Sequence, residues 1–92
     1  MTVKPIRITP YCEGRIAARK VDRELVEQVI RSPEQIVPDA DDDARQIYQS
    51  HFVDGQGRPK LLRVVVEEMV DEIIAVTVYP ASQIERYWKI EP

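Results

Sequence analysis

The 92-residue sequence contains one cysteine, Cys12, and one histidine, His51. A lone thiol excludes an intramolecular disulfide, and a lone imidazole without a second thiol excludes the usual His/Cys metal cluster. No run approaches the roughly eighteen apolar residues that a membrane helix needs. The opening Met1-Thr2-Val3-Lys4-Pro5 lacks the apolar core of a signal peptide. A cytoplasmic location without membrane contact is the expectation that follows. The phosphate-cradling G-x-x-x-x-G-K, the dinucleotide G-x-G-x-x-G, C-x-x-C and the nucleophile turn G-x-S-x-G are all missing, so no cofactor is expected. The acidic run Asp39-Ala40-Asp41-Asp42-Asp43 lacks the ligand spacing and distal glutamate of a calcium loop. It reads as a solvated loop.

What is present suits one domain spanning residues 1–92, because a hydrophobic content of 43% is enough for a single core at this length. The net charge of −3 is unevenly spread. Residues 22–43 carry eight acids against two bases, while the flanking blocks, 1–20 and 45–63, are basic. A polyanion-binding protein usually shows a dominant basic excess. Any basic patch must here be assembled by folding from the two flanking blocks.

The chain order reads as an α+β domain, with two N-terminal helices on one face of a three- to five-stranded, mainly antiparallel sheet. Residues 3–8 form a short edge strand or lead-in, since Pro5 cannot donate to a ladder. Thr9-Pro10 supplies an N-cap hydroxyl and a proline in the first turn, predicting a helix to about Lys20 with Cys12, Ile16 and Ala17 on one face. Asp22 caps a second helix whose stripe is Leu25, Val26, Val29 and Ile30, stopped at Ser32-Pro33. Strands are predicted at Gln35–Val37, Gln46–Val53, Leu61–Glu68 and Ile73–Tyr79, with a last short one at Ile84–Lys89.

Strand parity then locates a candidate site. Leu62, Val64 and Val66 share one face, and Leu61, Arg63, Val65 and Glu67 the other. In the next strand, strict alternation places Ile74, Val76 and Val78 together, opposite Ile73, Ala75, Thr77 and Tyr79. The all-aliphatic faces are expected under the helices, leaving Arg63 and Thr77 on an open, solvated face. Cys12 reads as a small core residue, and His51 as a structural or solvated strand residue. The remaining polar candidates are Arg45, Tyr48, Lys60, Arg63, Thr77, Tyr79, Arg86, Tyr87 and Lys89. Arginine clamps phosphate bidentately, and tyrosine stacks on bases or relays protons. The plainer alternative is that Arg63 pairs with Glu67 or Glu85.

Several short segments carry a family likeness: Thr9-Pro10 with Arg15 and Arg19, Val26 to Pro33, Ile47-Tyr48, Leu62 to Val66, Val76 to Tyr79, and Arg86-Tyr87-Trp88. Together they resemble the RelE/ParE-like toxin superfamily, nearest to a small uncharacterised group close to the BrnT-type toxins. The resemblance implies a microbial-RNase-like fold, metal-free endoribonuclease chemistry on RNA at the ribosome, and neutralisation by an antitoxin protein. It implies Arg63, Arg86 and Tyr87 as catalytic positions, with Arg45, Lys60 and Thr77 as RNA contacts. Where relatives commonly place a histidine, Tyr11 and Cys12 stand, which removes a possible general base. Two functions are therefore expected in competition. One is an RNA-cleaving or RNA-binding toxin component. The other is a non-catalytic module of the same fold that binds a partner or forms a homodimer through an unpaired sheet edge.

Overall fold

The computed structural model describes residues 4–90. Val3, expected at the start of the first strand, lies outside the described residues, as do Met1 and Thr2. The element order is β1 (Ile6–Ile8), α1 (Pro10–Ala18), α2 (Arg23–Arg31), β2 (Gln35–Pro38), β3 (Gln46–Val53), β4 (Pro59–Glu68), β5 (Ile73–Ala81) and α3 (Ile84–Tyr87). The α+β class is as expected. The sheet has five strands in the order β1-β5-β4-β3-β2, with β1 parallel to β5 and the other pairings antiparallel.

Local chemistry sets the helix limits. The Thr9 hydroxyl accepts the Cys12 N–H at 3.1 Å and starts α1. Past the helix end, Lys20 is left-handed at φ 55°, its N–H reaching the Ala17 carbonyl while the Val21 N–H reaches Ile16. This is a Schellman ending, with Val21 folding back onto the core. It puts α2 one turn later, under an Asp22 cap that accepts the Glu24 N–H. From α1, Cys12 and Ile16 are buried, but Ala17 is exposed because it stands about 100° further round the helix than Ile16, off the buried stripe. From α2, Val26, Val29 and Ile30 enter the core. They meet Tyr48, Leu62, Val64, Val66, Ile73, Ala75 and Val78 of the sheet. Each fully buried aliphatic side chain there stabilises by about 1.5–3 kcal/mol. Burial pushes the Cys12 thiol up to about 11, with Glu13 adding to the rise, so it stays protonated and inert.

The strict alternation expected for β5 is broken. Val65 pairs with Thr77 and Val66 with Ala75, so Val76 is an extra residue in the ladder. This β-bulge resets parity: Ile73 and Ala75, rather than Ile74 and Val76, share the helix side with Val78. Val76 instead packs on the opposite side with Val37, Ile47, Val65 and Tyr79. The Val76 carbonyl accepts the Thr9 hydroxyl at 3.1 Å, so one side chain both caps α1 and pins the bulge. No helix among the described residues is long and apolar enough to cross a membrane.

The bulge makes neighbouring isoleucines unequal. Ile73→Ala is expected to cost about 2–5 kcal/mol, as for other core truncations, and Ile74→Ala about 1 kcal/mol or less, the scale of a partly solvated side chain. Urea denaturation of the two variants checks the difference. A larger loss at Ile74 than at Ile73 would restore the unbulged alternation.

Candidate functional site

The sheet face away from α1 and α2 is ordered by strand register into transverse rows. Val37, Ile47 and Val65 form an apolar row. Next to it, Gln35, Gln49, Arg63 and Tyr79 are directly opposed on β2, β3, β4 and β5. Their side chains join into one chain of hydrogen bonds. Gln49 Nε2 donates to Gln35 Oε1 at 2.6 Å, Arg63 Nε to Gln49 Oε1 at 2.9 Å, and Arg63 Nη1 to the Tyr79 hydroxyl at 2.5 Å.

This face is not open. Residues 84–89, expected to add a strand, instead form the single turn α3 and a short extended run that lies across it. The Tyr87 ring sits 4.1 Å from the Arg63 guanidinium carbon, and Tyr79 stands 5.2 Å from it. Trp88 packs on the His51 ring at 4.6 Å between centroids. The main chain is gripped as well. Gln35 Nε2 donates to the Lys89 carbonyl at 2.7 Å, Gln35 Oε1 accepts the Lys89 N–H at 3.0 Å, and Gln49 Nε2 also donates to the Tyr87 carbonyl at 3.2 Å. The strand expectation failed because Tyr87, Trp88 and Lys89 follow apolar and polar residues in a pattern that suits either a sheet edge or a cover. What decides is that Arg63 and Gln49 need partners a solvated strand would not provide.

Arg63, expected on solvent, is 6% exposed. Among the described residues no carboxylate lies within ion-pair distance of it, so it pairs with neither Glu67 nor Glu85. Its buried charge is met by the two hydrogen bonds and two aromatic faces. Cation–π contacts contribute about 0.5–2 kcal/mol each, against the several kcal/mol that removing a cation from water costs. Burial raises the Tyr79 phenol above its ordinary 10.0, and the facing Arg63 draws it part of the way back.

The other expected site residues are dispersed. Arg86 is exposed on α3 beside the Tyr87 ring, at 5.6 Å. Thr77 shares the bulge with Val76, opposite Val65. Arg45 lies 3.5 Å from Asp42 at the mouth of the acidic loop. Lys60 is directly opposite Phe52, on the helix side of the sheet, and pairs with Asp54 at 3.3 Å. Arg45, Arg63 and Arg86 therefore form no continuous basic patch. Register and strand parity keep Lys60 away from Arg63, and the C-terminal segment stands between Arg63 and solvent.

Sequence reasoning missed the pair made by His51 and Glu34. Glu34 Oε1 lies 2.8 Å from His51 Nδ1 and also accepts the His51 backbone N–H at 2.6 Å. These two hydrogen bonds hold the Glu34 carboxyl below the usual glutamate range. The pair stands at the rim of an open groove of about 580 Å³ lined by Glu24, Leu25, Glu27, Val29 and Arg31 of α2. Gln35 and Gln49 were also missed. Their even spacing from Val37 and Ile47 was the available signal, since it puts each on the same face as its apolar neighbour. Among the described residues, no group of three or more His, Cys, Asp or Glu is disposed to hold a metal ion. Comparison with protein-family models, with curated proteins and with solved structures gives no match to this chain.

Arg63→Ala orphans Gln49 and Tyr79 and removes the seat of Tyr87. A loss of about 1–3 kcal/mol for each buried partner left unsatisfied is expected, read by urea denaturation; a change within error would show that the row contributes nothing. Glu34 predicts an acid limb. Because its folded pKa is depressed, the stability it contributes is present above its ordinary value of 4.5 and is lost as pH falls through the lowered one. Glu34→Gln should flatten that part of the stability–pH curve, where pH falls below the ordinary value of 4.5. An unchanged slope would detach Glu34 from the effect.

Proposed function

We propose that this chain is a RelE/BrnT-type, toxin-related domain that works as a non-catalytic interaction module. The observation that carries the reading is the withdrawal of Arg63: the one arginine central to the sheet face is buried, hydrogen-bonded inside the protein and covered by Tyr87. A phosphodiester needs donors that face it, and polyanion binding needs a joined basic surface. Arg45 and Lys60 are instead paired with carboxylates on separate parts of the surface. The acidic block of residues 22–43 and the absence of a histidine at Tyr11 and Cys12 point the same way.

A second reading, a metal-free RNA-cleaving toxin opposed by an antitoxin, is favoured by one feature. Arg63 is a buried guanidinium flanked by the hydroxyl-bearing Tyr79 and Tyr87, a set suited to holding a phosphate if the cover were removed.

Induced expression in a bacterial host separates the two. The interaction module leaves growth and messenger RNA like those of an empty-vector control, and the purified chain forms a defined complex with a protein identified and re-bound in pure form. Growth arrest with messenger RNA cleavage, abolished by the exposed-site variant Arg86→Ala, would replace this reading with the toxin.

A further inference from the structure

The C-terminal segment is attached in an unusual way. No backbone-to-backbone hydrogen bond joins residues 84–90 to the sheet among the described residues, and α3 buries no residue. Side chains of the face do the holding instead. The Gln35 amide pairs with both the N–H and the carbonyl of Lys89, as a neighbouring strand would, and Gln49 takes the carbonyl of Tyr87. Arg63 receives the first aromatic ring and His51 the second. Two amides that read main chain and two cations or imidazoles that read successive rings amount to a recognition surface for an extended segment with adjacent aromatic residues.

The surface is larger than its present occupant. From His51, under Trp88, the groove beside α2 continues past Glu34 to Glu24 and Glu27. No described residue of the C-terminal segment lines it. Glu24 and Glu27 make no ion pair or side-chain hydrogen bond through their carboxylates among the described residues. Leu25 and Val29 give the groove an apolar strip.

We propose that this face docks an extended segment of a partner protein with two adjacent aromatic residues followed by basic ones, which replaces the chain's own Tyr87-Trp88-Lys89. The inference rests on the interaction-module reading and names its site and ligand chemistry. The partner's rings take the seats over Arg63 and His51, and its basic residues enter the groove between Glu24, Glu27 and Glu34. Those last contacts are ones the described residues of the resident segment do not make. They give an incoming chain its advantage over a cover that is tethered and so present at high effective concentration.

Two fluorescently labelled peptides test this against the full-length chain by anisotropy: residues 83–90 alone, and the same peptide extended by Lys-Arg-Lys. The extended peptide is expected to bind wild type at least about tenfold more tightly than the short one. Added salt and the surface variant Glu24→Gln/Glu27→Gln should remove that difference. Tyr87→Ala/Trp88→Ala, which empties the two ring seats, should bind both peptides more tightly than wild type, because no resident competes. Added to that emptied variant, Gln35→Ala should weaken both. Should the emptied variant fail to fold, wild type still decides: against a tryptophan-free form of the extended peptide with Tyr-Phe in place of Tyr-Trp, the chain's single tryptophan, Trp88, must change emission as it leaves His51.

No saturable binding, equal binding of a peptide with Ser-Ser in place of Tyr-Trp, or unchanged Trp88 emission at saturation would overturn the proposal. A concentration-dependent dimer lost on Trp88→Ala would assign the face to a second copy instead, and so would overturn it too. A complex with an identified partner that survives these substitutions would defeat this inference and leave the interaction module standing. RNA cleavage would defeat that reading itself.

Discussion

A guanidinium placed in the middle of a sheet must be met by donors' partners and electron-rich surfaces on every side, because its charge cannot be neutralised by losing a proton. Arg63 imposes that demand on four other parts of the chain. Gln49 on β3 and Tyr79 on β5 satisfy it within the sheet, Gln35 on β2 orients Gln49, and Tyr87 closes it from above. Removing Gln49 or Tyr79 leaves a buried N–H of Arg63 without its partner, which costs more than the hydrogen bond itself contributed. The position of the C-terminal segment is thus tied to a residue that sits in the centre of β4. The apolar row beside it, Val37, Ile47 and Val65, adds burial but does not select what lies above.

The helix side of the sheet was legible because its logic is local. Thr9-Pro10, Asp22 and Ser32-Pro33 bound the helices, and alternation in Leu61–Glu68 sorts that strand correctly between its two faces. The bulge was illegible for a definite reason. Ile73-Ile74-Ala75-Val76-Thr77-Val78 is aliphatic or small at both parities, so sliding the register by one residue changes no polarity. What fixes the bulge is the Thr9 hydroxyl meeting the Val76 carbonyl, a contact between residues 67 positions apart.

The candidate site was legible as a location and not as a state. Parity placed Arg63 on the correct face, and Tyr79 and Tyr87 were singled out beside it. Whether that face is open depends on where residues 84–90 go, and Arg86-Tyr87-Trp88-Lys89 has no periodicity long enough to decide. Glutamine is an ordinary residue at solvated strand positions, so Gln35 and Gln49 do not stand out by type. Only the cross-strand register reveals that they stand in one line with Arg63. The pair of Glu34 and His51 was hidden in the same way, by 17 positions of sequence.

The way the cover is held also limits what it can be for. A segment added as a sixth strand would share a ladder of main-chain hydrogen bonds, and exchanging it would break several at once. Here the contacts are side-chain amides, a tilted ring pair and a cation–π contact, each contributing on the order of 1 kcal/mol net. Such a cover can be displaced without unfolding the sheet, whose helix-side core does not touch it. Once the cover lifts, water reaches Arg63, so whatever takes the seat must desolvate that charge again. A replacement is therefore favourable only when it brings another electron-rich face or an anion to the same seat. The buried cation makes the site selective for what replaces the cover, whether or not any bond is ever cleaved there.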